Sequence, residues 1–202
     1  MSDKLAVVEA LSVQVRLRRS THPFHVRINH HPLLVGLTEP DYPFERYLTV
    51  LKAYFHLYQV LELRIQQFMQ HHPVPFDYAS RLKLPWLRED LNYFQVEPGL
   101  PAYPVEFPEI LNIGQLIGVL YPLEGASLGG QVVAKSLKQH LALSSSQGSR
   151  FFNGYGADTG CLWEAFGRFA DTVQDNETLC QAAEEAAVLT FVKFEEALNG
   201  SP

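Results

Sequence analysis

Three observations predict an all-α fold, a single-domain, multi-helical bundle spanning residues 1–202. Apolar residues recur at spacings of three and four through several long segments, the period of a helix with one buried face. No run alternates apolar and polar residues long enough to make a convincing strand. Prolines, glycines and serines fall mostly between the periodic segments, where they act as breaks. The 202 residues are 47% hydrophobic, 19% charged and 12% aromatic, enough for one well-filled core.

The first periodic segment runs from Leu5 to Arg19 on Leu5, Val8, Leu11 and Val15, and Arg16, Arg18 and Arg19 suit a helix C-terminus. Ser20 or Thr21 then reads as the N-cap of a second helix, with Pro23 in its first turn and Phe24-His25-Val26 following. Pro32, Gly36 and Pro40 mark a connection, after which Asp41 is placed to cap a long helix from Tyr42 to about Gln70. Its aromatics, including Tyr54 and Tyr58, read as core material. Pro73 and Pro75 close it. A shorter helix, opened by Pro85, covers Trp86 to Phe94, with Arg88, Glu89 and Asp90 on its wet side.

Four prolines between Glu97 and Pro108 preclude a helix and suit an extended crossing. Glu109 to about Leu143 returns to helical spacing with Pro122 inside it, which predicts a bend. After Ser144-Ser145-Ser146, a short aromatic segment (Phe151, Phe152, Tyr155) leads to helices near Gly160–Thr172 and Glu177–Leu198.

Charge excludes some partners. With 22 acidic against 16 basic residues, a formal charge of -6 and no Lys/Arg-rich face, the chain is not expected to bind nucleic acid. Apolar runs look too broken by charge to cross a membrane, and Met1-Ser2-Asp3-Lys4 does not open a signal pattern. The expected location is the cytoplasm. Cys161 and Cys180 lack the spacing of a zinc knuckle and read as small core residues. His30-His31 and His71-His72 read as exposed helix-end histidines.

The stretch from Tyr121 to Gln131 is the anomaly. Gly125, Gly129 and Gly130 stand where a helix former would serve better, at a combined cost of roughly 2–3 kcal/mol. Gly125 and Gly129 share a helix face with Gly130 at its edge, leaving a strip of bare backbone. Either another helix or a flat ligand lies against it. Far upstream, His25 sits among Phe24, Val26 and Ile28, and a neutral imidazole in an apolar setting is what an axial heme ligand requires. A flat ring sliding between the two helices would account for both stretches.

These stretches resemble the heme oxygenase family, in particular its bacterial, biliverdin-producing members. The resemblance rests on Leu17-Arg-Arg-Ser-Thr-His-Pro-Phe-His25, Tyr42-Pro-Phe-Glu-Arg-Tyr-Leu48, the Tyr121 to Gly130 stretch, and Phe151-Phe152 to Tyr155 followed by Trp163 and Phe166, in the family's order. It implies heme b held between a proximal helix, whose His25 ligates the iron, and a distal helix kinked at Gly125 and Gly129. It also implies the activity: O2 and externally supplied electrons open the heme to biliverdin, CO and ferrous iron. The electrons would come from a ferredoxin or flavoprotein reductase, because the chain carries no dinucleotide fingerprint. By the same resemblance Arg18 and Tyr121 would grip the heme propionates.

Two positions depart from the family's pattern. Asn29 stands where many members have a Glu four residues after the proximal histidine, and Ala126 stands where an Asp or Ser commonly follows the first distal glycine. Water for proton delivery would then fall to Ser127, Glu124 or another group. The alternative expectation is a protein of the same fold that stores or transfers heme without cleaving it. A third, outside this family, is a helical interaction protein whose glycines only pack helices.

Overall fold

The computed structural model describes residues 11–101 and 104–200. Among them lie seven α-helices and no strand: α1 Val13–Asn29, α2 Phe44–His71, α3 Leu84–Tyr93, α4 Ile113–Leu141, α5 Arg150–Asn153, α6 Thr159–Ala170 and α7 Glu177–Asn199. Single 3-10 turns stand at Ala79–Arg81, Gly156–Asp158 and Asp171–Val173.

The two helices expected before residue 30 are one. α1 starts after Ser12, whose hydroxyl caps Val15 N–H, and runs through Pro23 without a break; the expected portion before Leu11 lies outside the described residues. Thr21 does not cap a new helix; its hydroxyl donates back to the Leu17 carbonyl at 2.6 Å. Packing overrides the proline. Leu17, Thr21 and Ile28 form a buried stripe, and Arg16 bonds Glu177 and Glu184 of α7, with Arg27 pairing to Glu195 further along. The pairs advance together, so α1 and α7 run in the same direction. Arg16, Arg18 and Arg19 are therefore mid-helix, and only Arg27 falls in the last turn.

α2 follows the expected span, although Pro43 and not Asp41 stands at its N-cap and no side chain caps it. α3 opens on Pro85 as expected. Asp90 is not on its wet side: it is fully buried and accepts the N–H groups of Arg150 at 2.6 Å and Phe151 at 2.9 Å. It thereby caps α5 from across the molecule. The described residues of the crossing before α4 are non-helical, and Arg64 Nε ties them down by donating to the Phe107 carbonyl at 2.9 Å.

α4 begins at an Asn112 cap, continues through Pro122 and all three glycines, and ends at Ala142 in the left-handed region (φ 55°). By length and composition it would pass for a membrane span, because Glu124 is its only charge before Lys135, but 56% of the apolar window is buried in the bundle. α7 is the element on which α1, α2 and α4 all pack. Its approach to α4 is close enough that a Cβ on Gly114 or Gly118 would lie 2.3 Å from the Leu179 carbonyl oxygen or 2.2 Å from that of Ala183. The Ser144 turn closes on Gly148 (φ +80°), where the Phe94 ring would occupy the space of a side chain.

Cys180 is buried on α7, but Cys161 is exposed on α6, so only one of the two cysteines is a core residue. His31 also departs from expectation: it is 8% exposed, its Nε2 lies 3.0 Å from Asn199 Oδ1 and its Nδ1 accepts Leu33 N–H.

Candidate functional site

Between α1 and α4 lies a cavity of about 860 Å³, in the size range of pockets that enclose a small organic molecule. α1 presents His25, Ile28 and Asn29 to it; α4 presents Tyr121, Pro122, Gly125, Ala126, Leu128, Gly129, Gly130 and Val133. The far wall is aromatic, with Tyr54 and Tyr58 from α2, Phe151 and Phe152 from α5, Trp163 from α6, and Phe191 and Phe194 from α7. The turn segment from Leu34 to Thr38 completes it. Among the described residues, no Asp, Glu, Lys or Arg lines this space.

The glycines of α4 divide by what a side chain would meet. At Gly130 a Cβ would stand 2.7 Å from the Phe152 carbonyl oxygen, so close packing on α5 explains it. At Gly129 a Cβ would meet nothing within 4 Å, and at Gly125 only the Trp163 ring at 3.7 Å, ordinary contact. Helix packing thus accounts for Gly114, Gly118 and Gly130 and leaves Gly125 and Gly129 unaccounted for. Their missing side chains keep open the cavity wall contributed by α4, while His25 lines the side contributed by α1.

His25 projects into the cavity and meets the Phe191 ring edge-on at 5.9 Å. Its pKa is lowered, first by desolvation and then by His22, which keeps the ring neutral. Asn29 Nδ2 lies 3.3 Å from His25 Nδ1, one helical turn on. An amide can present either end to the ring. With its oxygen there, Nδ1 carries the proton and Nε2 keeps a free lone pair, as a metal ligand needs.

Tyr121 is half-buried with its ring 5.7 Å from Trp163; burial raises its pKa, while Thr21 and Arg18 lower it. Arg18 is exposed on α1 near that tyrosine but outside the cavity lining. The Tyr58 hydroxyl is buried without a hydrogen-bond partner among the described residues, although its side chain lines the cavity. A buried orphan hydroxyl beside an apolar void fits a site completed by a ligand with ordered water. Neutral imidazole on one side, bare backbone on the other and aromatic walls between them suit a porphyrin. That is the fit expected for heme.

The two groups offered by the sequence as water holders turn elsewhere. Glu124 is 2% exposed and accepts Arg81 at 2.7 Å, Lys83 at 2.8 Å and the Tyr155 hydroxyl at 3.0 Å. Ser127 faces Gly154. Neither lines the cavity.

A family model for heme oxygenase matches residues 11–199. The chain belongs to the heme oxygenase family. Among solved structures, the heme oxygenase of Neisseria meningitidis, determined with NO and CO bound, superposes with a TM-score of 0.77 at 21% identity, covering 94% of this chain and 92% of that one. The heme oxygenase of Leptospira interrogans gives 0.75 at 16% identity, covering 93% and 98%. Heme oxygenase-2 of Synechocystis, in complex with heme and NO, gives 0.71 at 16% identity, covering 94% and 85%. No curated protein matches the sequence.

This heme oxygenase family member draws together His25, Tyr121, Gly125, Gly129 and Gly130 from the sequence reading and leaves Arg18 at the edge. Tyr54 and Tyr58 are buried in the core, as sequence reasoning had them, but both also line the cavity, which it did not foresee. Two hydroxyls four apart on one face of an otherwise apolar helix were the signal available.

Proposed function

We propose that the protein is a heme oxygenase in activity, cleaving heme b to biliverdin, CO and ferrous iron. The observation that carries this reading is the pair Gly125 and Gly129, open to the cavity with no packing reason, in a space that His25 also lines. Bound heme would supply the O2-activating iron and would itself be the molecule cleaved, with electrons from a separate ferredoxin or flavoprotein reductase. His25 would hold the iron through Nε2, and Asn29 would orient the imidazole through Nδ1. Tyr121 and Arg18 would meet the propionates. The bare α4 backbone leaves room beside the ring for O2 and water, and the aromatic walls exclude bulk solvent.

A second reading, heme holding without cleavage, is favoured by one observation: no Asp or Glu among the described residues lines the cavity, and Ala126 stands in it. Hemin titration followed by a supplied reductant separates the two. A Soret band and then biliverdin support the enzyme. A stall before biliverdin that Ala126→Asp relieves supports the holder. Gly129→Leu is expected to abolish biliverdin formation while circular dichroism stays helical; unchanged turnover would move the heme away from α4.

A further inference from the structure

The histidines between His22 and His31 have different tasks in the fold. His22 is exposed and outside the cavity lining. His31 is buried with both ring nitrogens engaged, one by Asn199 and one by the Leu33 N–H. His25 and His30 both line the cavity. At His30, Nδ1 lies 2.8 Å from the Val26 carbonyl oxygen one turn back. A carbonyl only accepts, so Nδ1 carries the proton and Nε2 of the neutral ring keeps its lone pair, the arrangement of a metal-binding imidazole.

His30 is also the C-cap of α1, where the helix that carries His25 presents the negative end of its dipole and favours a cation. Arg27, the basic residue of that last turn, is paired with Glu195 of α7, which blunts its repulsion of a cation there. His30 lies five positions beyond His25, about 7.5 Å along the axis at 1.5 Å per residue. From it the chain turns toward Val35, which is 51% exposed. The cavity thus has one imidazole within it and a second where α1 stops. Among the described residues its lining holds no carboxylate and no thiol, and an uncompensated ion in such a space is costly. Imidazole nitrogens, by contrast, suit iron.

We propose that His30 receives the ferrous iron set free when the heme ring is opened, and passes it from His25 to solvent at the C-terminal end of α1. The proposal rests on the heme-cleaving reading above. In the transfer the bond between His25 Nε2 and Fe2+ breaks and one to His30 Nε2 forms, with water filling the remaining positions. Two protons from solvent replace each Fe2+ on the nitrogens of the opened ring, so charge balances and no electron moves. Among the described residues no group of three or more His, Cys, Asp or Glu is placed to hold a metal, so His30 binds the ion weakly enough to give it up to water. His71 provides a built-in comparison: it is exposed in the last turn of α2 with Nδ1 2.9 Å from the Gln67 carbonyl oxygen, but lies outside this cavity.

The test has two arms, both on the full chain. In the heme-free protein, Fe2+ is added without oxygen and the histidine ring signals are followed by NMR. Those of His25 and His30 should broaden together, at several-fold less Fe2+ than those of His71, and His30→Ala should weaken the effect at His25. Broadening of His30 only in step with His71 would make it an ordinary surface histidine and overturn the proposal. In the second arm, hemin-loaded wild type and His30→Ala receive a reductant and an excess of a ferrous chelator that stays in solution. The interval between loss of the Soret band and capture of Fe2+ should lengthen several-fold in the variant, whatever its rate of ring opening. An unchanged interval would overturn the proposal. Failure of wild type to bind heme or to form biliverdin would instead sink the heme-cleaving reading, and the Fe2+ titration would then decide alone whether His30 is an iron site.

Discussion

If His25 holds the iron as proposed, Asn29 would set how strongly its imidazole can push electrons toward the metal. A neutral amide accepts the Nδ1 proton more weakly than a carboxylate would, so the ring stays closer to plain imidazole. Asn29→Glu is therefore expected to lower the ferric/ferrous midpoint of the heme complex by about 30–60 mV, a several-fold change in the relative hold on the ferric state. Spectroelectrochemistry checks it; a midpoint that stays put or rises would remove Asn29 from the site. The pairing was foreshadowed by spacing alone, since residues four apart share a helix face. The place of Tyr58 in the cavity wall was not, because an aromatic stripe on a long helix has the same sequence pattern whether it meets other side chains or a void.

Along α4, adjacent glycines have opposite reasons to exist. Gly129→Ala places a methyl group in open space and should stabilise the ligand-free protein by up to about 1 kcal/mol through helix propensity. Gly130→Ala drives a methyl group against the Phe152 carbonyl, 2.7 Å from the ideal Cβ position, and should destabilise it by about 1–3 kcal/mol. Urea unfolding of the two variants reads both signs, and equal effects would contradict the division. The sequence showed that this stretch was anomalous but could not apportion the cause among its glycines. That depends on how near α5 comes, a fact of tertiary packing. The same limit explains α1: Pro23 and three arginines read as a helix boundary, yet anchoring to α7 through Glu177, Glu184 and Glu195 carries the helix across. Where a helix is exposed at its ends and periodic within, as in α2 and α7, local pattern and packing agree and the spans were legible.

For the molecule as a whole, Asp90 links stability to pH. Burial pushes its pKa up to about 6 from 3.8, against hydrogen bonds from Phe151 and Arg150 that lower it. The folded chain thus holds this proton more tightly than the unfolded chain, so the stabilisation is present below about pH 4 and is lost as pH rises through 6. The loss amounts to at most about 3 kcal/mol. Denaturation midpoints between pH 4 and 7 should decline more steeply in wild type than in Asp90→Asn, and parallel curves would refute the assignment. The 860 Å³ cavity adds a cellular dimension. A ligand that occupies the space between α1 and α4 adds to the folding free energy by an amount that grows with its concentration over Kd. On the proposed function, the chain's lifetime in a cell would become a readout of heme supply: scarcity would leave the ligand-free form to the proteases, and abundance would protect the protein that removes it. Limited proteolysis with and without hemin should show that protection, concentrated in α1 and the segment from Leu34 to Thr38.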